Sequence, residues 1–134
     1  YHQLEKYESV DGQLSDLKTY EEFLDMIEIC GKNINRVLKP GGFCVWVCGD
    51  WREGGKFRSF HSDSIDLFEK AGLITHDIII MKNKSPFAAM QIGKVAAKRY
   101  TSKIHEYVLV FRKEGELEVN TDKIVKKTSD KFWG

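Results

Sequence analysis

The sequence predicts an α/β domain that contains part of an open β-sheet. Two observations carry this prediction. Helical and strand-like apolar patterns alternate over residues 19–81, and one more strand-like pattern follows at 107–111. The first strand pattern, residues 43–48, is a short apolar run bounded by glycines, which is typical of a strand buried on both faces of a sheet. The predicted order is therefore helix, strand, helix, strand, strand, with the last two strands antiparallel.

The first helix is predicted to begin after Thr19 and to end before Pro40. Thr19 and Glu22 have capping-box spacing, in which the hydroxyl and the carboxylate each satisfy a free backbone N–H. Proline cannot continue a helix, and Gly41 and Gly42 tolerate the left-handed conformation that often ends one. Apolar residues three, four and seven positions apart form one stripe along this helix: Tyr20, Phe23, Leu24, Ile27, Ile34, Val37 and Leu38.

The second helix is predicted to begin within residues 60–63, with Gly72 as the left-handed residue after its end. Residues 73–81 then form the second strand. A helix between two strands implies that they run parallel and are joined by a right-handed crossover. Two helices hardly cover both faces of a parallel sheet, so the pattern favours additional chain upstream of Tyr1.

Two long polar stretches complete the organisation. Residues 50–59 are a polar, glycine-containing loop, and residues 82–105 form a connection with room for a short helix. Residues 1–18 show no sustained period and are predicted to be loop. The tail 114–134 is polar and is predicted to be a linker or a frayed end.

Composition limits the classes of function. The 134 residues suit one domain, and a hydrophobic share of 42% excludes global disorder. Lys plus Arg number 21 against 20 for Asp plus Glu, so net charge alone implies no nucleic-acid partner. No apolar run reaches the ~20 residues of a membrane helix. Three cysteines without metal-site spacing indicate a reducing, cytoplasmic compartment and no metal: Cys30, Cys44 and Cys48.

The charges are unevenly distributed. Residues 78–105 contain no Asp or Glu but include two aromatic residues, Phe87 and Tyr100. A basic connection with aromatics is typical of phosphate contacts, whereas its simpler interpretation is a solvated surface loop. Six cations lie in this stretch: Lys82, Lys84, Lys94, Lys98, Arg99 and Lys103.

Several segments together resemble one enzyme family. Leu38-Lys39-Pro40-Gly41-Gly42 looks like the connection before the fifth strand of Rossmann-like methyltransferases. The wider run resembles the methyltransferases that act on DNA adenine N6 or cytosine N4. It comprises RVLKPGGFCVWVCGDWR, a helix ending KAGL, HDIIIMKN and KIHEYVLVFRK. The resemblance covers residues 1–113 and implies the C-terminal half of a Rossmann-like methyltransferase domain.

The resemblance also implies a site and a cofactor. Tyr1 looks like the final aromatic of the family's catalytic motif, where it would stack on a base that has left the duplex. His2, beside it, is either a phosphate or base contact or a solvated loop residue. The acid or amide and both prolines of that motif are absent, as is the glycine-rich loop for S-adenosylmethionine. The isolated chain is therefore expected to be inactive.

Because the resemblance implies DNA as the substrate, five cations of the basic connection are candidate DNA contacts: Lys84, Lys94, Lys98, Arg99 and Lys103. Asp50 and Arg52 directly follow the first strand, at the edge where open α/β sheets bind ligands, although capping a turn is the commoner role of such an Asp.

Alternatives remain open at this point. The LKPGG connection also fits a methyltransferase acting on RNA or another substrate, and a truncated module that binds nucleic acid or protein without catalysis fits as well. Exposed strand edges favour pairing with the missing upstream half or, without it, a homodimer.

Overall fold

The computed structural model of the protein describes residues 19–83, 92–101 and 103–116. These residues contain all five predicted elements, together with a hairpin and a short helix. The predicted loop 1–18 and residues 117–134 of the tail lie outside the described part. In chain order the elements are α1 (Tyr20–Val37), β1 (Phe43–Cys48), β2 (Trp51–Glu53), β3 (Lys56–Arg58), α2 (Phe60–Lys70), β4 (Ile74–Lys82), α3 (Ile92–Ala97) and β5 (His105–Arg112).

The main sheet of the described residues has the strand order β1-β5-β4. β5 pairs antiparallel with both neighbours, which confirms that the last two strands are antiparallel. β1 and β4 therefore run in the same direction, as the helix between them predicts, but β5 separates them. Tyr107 of β5 lies opposite Cys48 on one side and Ile80 on the other.

Both longer helices begin and end where the sequence places them. The Thr19 hydroxyl accepts the Glu22 N–H at 3.1 Å, which is one half of the predicted capping box. Gly72, with φ of +96°, follows α2 in the left-handed region. The predicted stripe of α1 fails only at its end, where Val37 is 67% exposed.

The core lies between the two helices and one face of the sheet. Phe68 of α2 is fully buried, and its ring centroid lies 5.0 Å from that of Trp46 and 4.8 Å from that of Phe111. A Cβ on Gly31 of α1 would come within 2.8 Å of the Phe68 ring. The absence of a side chain at Gly31 therefore lets the helices approach closely.

The other face of the sheet is open, so the prediction that β1 is buried on both faces is wrong. Phe43, Val45 and Val47 are 49%, 60% and 53% exposed, while the alternate residues of β1 face the helices. The physical reason is that α1 and α2 both pack on the same face.

The loop predicted at 50–59 contains a β-hairpin instead. β2 and β3 pair antiparallel, with Arg52 opposite Phe57. Gly54 and Gly55 form the two-residue turn with φ of +56° and +80°. Positive φ at both central positions is the requirement of the type I′ hairpin turn, which explains the glycine pair.

Candidate functional site

The ends of several elements meet at one edge of the main sheet. β1 and β4 end there and β5 begins there, so the β2–β3 hairpin and the β4–β5 connection both start from this side. We call it the strand-end edge. The N–H of Asn83 donates to the carbonyl of Ile104 at 2.6 Å and closes the base of the connection. Open α/β sheets commonly bind ligands at this kind of edge.

Asp50, directly after β1, is fixed by α2. Its side chain is only 5% exposed, and its carboxylate accepts the backbone N–H of His61 at 3.0 Å. Ser59 precedes α2 but makes no side-chain capping bond. Asp50 therefore satisfies a free N–H in the first turn of α2, where the helix dipole also favours a negative charge. The capping role considered for Asp50 from sequence is thus observed, although its partner is a helix rather than a local turn.

The His61 ring joins Asp50 to the sheet. Its Nδ1 lies 2.8 Å from the Asp50 carboxylate, and the ring stacks on Tyr107 with centroids 3.8 Å apart and planes 9° apart. A carboxylate only accepts, so Nδ1 carries the proton in this hydrogen bond. Burial raises the pKa of Tyr107, and the negative charge of Asp50 adds to the increase.

Basic and aromatic side chains form a second group at the same edge. The guanidinium carbon of Arg52 lies 3.9 Å from the Tyr100 ring centroid and 5.3 Å from that of Phe57. The Lys103 ammonium lies 5.9 Å from the Phe57 centroid. We call these four residues the Arg52 cluster. It joins the hairpin to the β4–β5 connection, which are far apart in sequence.

Electrostatics show that the two cations of this cluster influence each other. Partial burial lowers the pKa of Lys103, the Arg52 guanidinium lowers it further, and Asp50 opposes the change. Two positive charges thus share one region, with the nearby Asp50 carboxylate already engaged by His61.

The hairpin is anchored in the core. Trp51, its first residue, is 6% exposed, and its ring makes edge contacts with Phe23 and Phe60 at centroid distances of 6.0 and 5.3 Å. The guanidinium of Arg58, its last residue, lies 4.4 Å from the Tyr20 ring centroid. Arg52 and Phe57 are consequently presented from a fixed base.

Of the predicted site residues, Asp50, Arg52 and Lys103 come together at the strand-end edge. Lys98 and Arg99 follow α3 and are exposed. The remaining predicted residues lie outside the described part: Tyr1, His2, Lys84 and the side chain of Lys94.

Sequence reasoning did not find the pairings of Asp50 with His61 or of Arg52 with Phe57. A signal existed for the second pair, because two glycines between short β-forming segments are typical of a tight hairpin. The first pair carries no local pattern, since its geometry depends on how α2 docks beside β1.

Two features are absent from the described residues, namely a cluster of metal ligands and a membrane-spanning helix. Within 19–83, 92–101 and 103–116, no three His, Cys, Asp or Glu side chains come together as metal ligands. In the same part of the chain, no helix has the length and apolarity needed to cross a membrane.

Basic and aromatic side chains at the strand ends of a partly covered α/β sheet are typical of α/β domains that bind ligands there. The particular family follows from comparison with known proteins. The family model for DNA methylases, N6_N4_Mtase, matches residues 1–132. The chain therefore belongs to the DNA methylase family, which confirms the resemblance read from the sequence.

Two curated relatives are named as type II methyltransferases. The type II methyltransferase M.MthZI of Methanothermobacter thermautotrophicus is 29% identical over 134 residues, covering 94% of this chain and 38% of the relative. The type II methyltransferase M.MjaI of Methanocaldococcus jannaschii is 38% identical over 88 residues, covering 61% of this chain and 29% of the relative. The chain thus spans well under half the length of these relatives.

Solved structures share the fold. The putative DNA modification methylase of Thermus thermophilus superposes with a TM-score of 0.63 at 27% identity, covering 92% of this chain and 49% of that one. A structure of the same protein complexed with S-adenosyl-L-methionine gives a TM-score of 0.61, with equal coverage. The predicted partial methyltransferase fold is therefore confirmed.

Proposed function

We propose that this chain is the C-terminal half of an S-adenosylmethionine-dependent DNA methyltransferase that methylates an exocyclic amino group, adenine N6 or cytosine N4. The observation that carries the proposal is the DNA methylase match over residues 1–132, in a chain that spans 38% of M.MthZI. In this proposal the rest of the catalytic domain lies upstream.

The open face of the sheet supports an upstream half. A contiguous exposed apolar patch on a folded domain usually marks an interface. Val45, Val47 and Ile79 are each more than half exposed on this face. In the assembled protein we assign this surface, and the outer edge of β1, to the upstream half. Without that half the same surface would favour a homodimer.

The cofactor is assigned to the upstream half as well. When bound, S-adenosylmethionine supplies the methyl group. The glycine pair at 54–55 serves the hairpin turn, which its positive φ values require, so we do not assign it to the cofactor. The cofactor proposal rests on the family and on the Thermus thermophilus complex.

This chain contributes the strand-end edge to the proposed enzyme. Lys98 and Arg99 are exposed beside the Arg52 cluster in the β4–β5 connection, and we assign them to DNA phosphates with Lys84 and Lys94. Tyr1 keeps the role implied by the resemblance, as the aromatic face for an extruded base, with His2 beside it.

The test uses the protein extended upstream to the length of its relatives. It is incubated with methyl-labelled S-adenosylmethionine and duplex DNA, single-stranded DNA or RNA, and the nucleosides are then separated. The proposal predicts label in N6-methyladenine or N4-methylcytosine from DNA. Label confined to RNA, or carried on a base carbon, would contradict it.

The second candidate is a nucleic-acid-binding module without catalysis. The Arg52 cluster favours it, because this cluster is complete within the described residues whereas the catalytic motif is not. Salt-dependent DNA binding by the extended protein, with no methyl transfer to any nucleic acid, would support this candidate over the enzyme.

A further inference from the structure

We infer that Arg52 and Lys103 bind the phosphodiester backbone of one DNA strand, and that Phe57 and Tyr100 act as positioning residues that hold these two cations in place. The inference deepens the proposed function, since it rests on DNA as the partner. It assigns a DNA contact to the β2–β3 hairpin, which the charge pattern of residues 78–105 does not include.

Cation placement is the first argument. Arg52 and Phe57 are cross-strand partners in the hairpin, so their side chains share one face. The Tyr100 ring also approaches this guanidinium, whose carbon lies 3.9 Å from the ring centroid. A guanidinium stacked on aromatic rings keeps its N–H groups free at its rim, which suits the planar recognition of phosphate oxygens.

Unbalanced charge is the second argument. Among the described residues, neither Arg52 nor Lys103 forms an ion pair with a carboxylate, whereas Arg58 of the same hairpin lies 3.5 Å from Glu53. Burial lowers the pKa of Lys103, Asp50 opposes that change, and the repulsion from Arg52 adds a smaller decrease. Two cations thus share one nearby carboxylate, which is already hydrogen-bonded to His61. An anion placed beside both relieves this repulsion, and a phosphate backbone supplies one negative charge per nucleotide.

Location is the third argument. The cluster lies at the strand-end edge beside Asp50, where ligands enter open α/β sheets. Because Trp51 is buried in the core, the hairpin presents Arg52 from a rigid base. A backbone contact at this position would set the register of the strand relative to the site without reading its sequence.

The experiment measures the DNA affinity of the upstream-extended protein by fluorescence anisotropy over a range of salt concentrations. The probes are a labelled duplex and one of its single strands. Arg52→Ala and Lys103→Ala remove one cation each, and Phe57→Leu and Tyr100→Leu remove a ring but keep the bulk. Lys39→Ala is the control, because Lys39 is exposed at the opposite end of β1.

In each alanine variant, the slope of log affinity for duplex DNA against log salt concentration should be shallower by about 0.9. This change lowers affinity about eightfold at 0.1 M salt. The leucine variants should weaken binding several-fold with an unchanged salt slope, since the charges remain but are less well placed. Arg52→Lys should restore the slope. Unchanged slopes in both alanine variants, or an equal loss in Lys39→Ala, would overturn the inference.

Methyl transfer is recorded on the same preparations, so that the two proposals fail separately. Flattened slopes in a protein that transfers no methyl group would sustain the inference and remove the enzyme. Normal methyl transfer to DNA, with wild-type salt slopes in both alanine variants, would sustain the enzyme and overturn the inference.

Discussion

The two faces of the main sheet carry similar residues but lie in different surroundings. Toward α1 and α2, Leu109 and Phe111 are fully buried. On the opposite face, Val45 and Val47 are more than half exposed, although their alternation with buried neighbours is regular. Because both faces of β1 are apolar, residues 43–48 form a continuous apolar run in the sequence. The run at 43–48 therefore supplies apolar side chains to both faces of the sheet, and the described residues cover only one of these faces.

The largest expected effect lies on the covered face. Phe68→Ala should lower the free energy of unfolding by about 3–5 kcal/mol, because it removes a fully buried ring between two helices and the sheet. Val45→Ala in the same 134-residue chain should cost less than about 1 kcal/mol, since its side chain is already largely hydrated. Urea denaturation measures both values. Similar losses in the two variants would show that the faces do not differ.

A charged substitution sharpens the comparison on the open face. Val45→Asp should cost about 1 kcal/mol in the 134-residue chain, because Asp has low strand propensity but this side chain is already more than half exposed. In the upstream-extended protein it should cost about 2 kcal/mol or more, because a carboxylate would then be buried without a partner. Thermal unfolding of the four proteins gives the contrast. Equal effects in both lengths would mean that the upstream segment does not cover this face.

A smaller effect is expected where β1 meets α2. Asp50→Ala should cost about 1–2 kcal/mol, because the His61 N–H in the first turn of α2 loses its acceptor. Ser59→Ala is the matched control and should cost less than about 0.5 kcal/mol, since Ser59 makes no side-chain capping bond. If Ser59→Ala proved the more costly change, the assignment of the cap to Asp50 would be wrong.

The smallest effect is a difference in thiol reactivity on the covered face. Burial, assisted by the Asp50 charge, raises the pKa of Cys48 to about 12 from its ordinary 9.0. At pH 8 the half-buried Cys30 should therefore react with a thiol reagent well before Cys48. The raised pKa also implies a stability contribution that is complete below pH 9 and is lost as the pH rises toward 12. Rapid modification of Cys48 in the folded protein would contradict its burial.

Elements with strong local signals were predictable from sequence. The capping residue Thr19 and the terminal Gly72 act within a few residues of their own helices, so their patterns predict the ends of α1 and α2 correctly. The three strands of the main sheet were predictable for a related reason, because β-forming apolar runs bounded by polar residues leave few other structures, whereas the short polar strands of the hairpin carry no such run. Antiparallel pairing of the last two strands also agrees with the structure.

Features that depend on tertiary docking were not predictable. The insertion of β5 between β1 and β4 depends on long-range pairing, and an apolar run does not reveal which of its faces a helix will cover. In the candidate site, the charge pattern directed attention to Lys103, which lies in the Arg52 cluster. The contact of Arg52 with Tyr100 required the hairpin and the β4–β5 connection to meet, and no spacing in the sequence encodes that meeting.

We propose that this chain forms a DNA methyltransferase only together with an upstream half. The most direct measurement compares transfer of labelled methyl from S-adenosylmethionine to DNA by the 134-residue chain and by the upstream-extended protein at equal concentration. We expect DNA labelling by the extended protein and none by the 134-residue chain. Labelling by neither protein, or equal labelling by both, would contradict it.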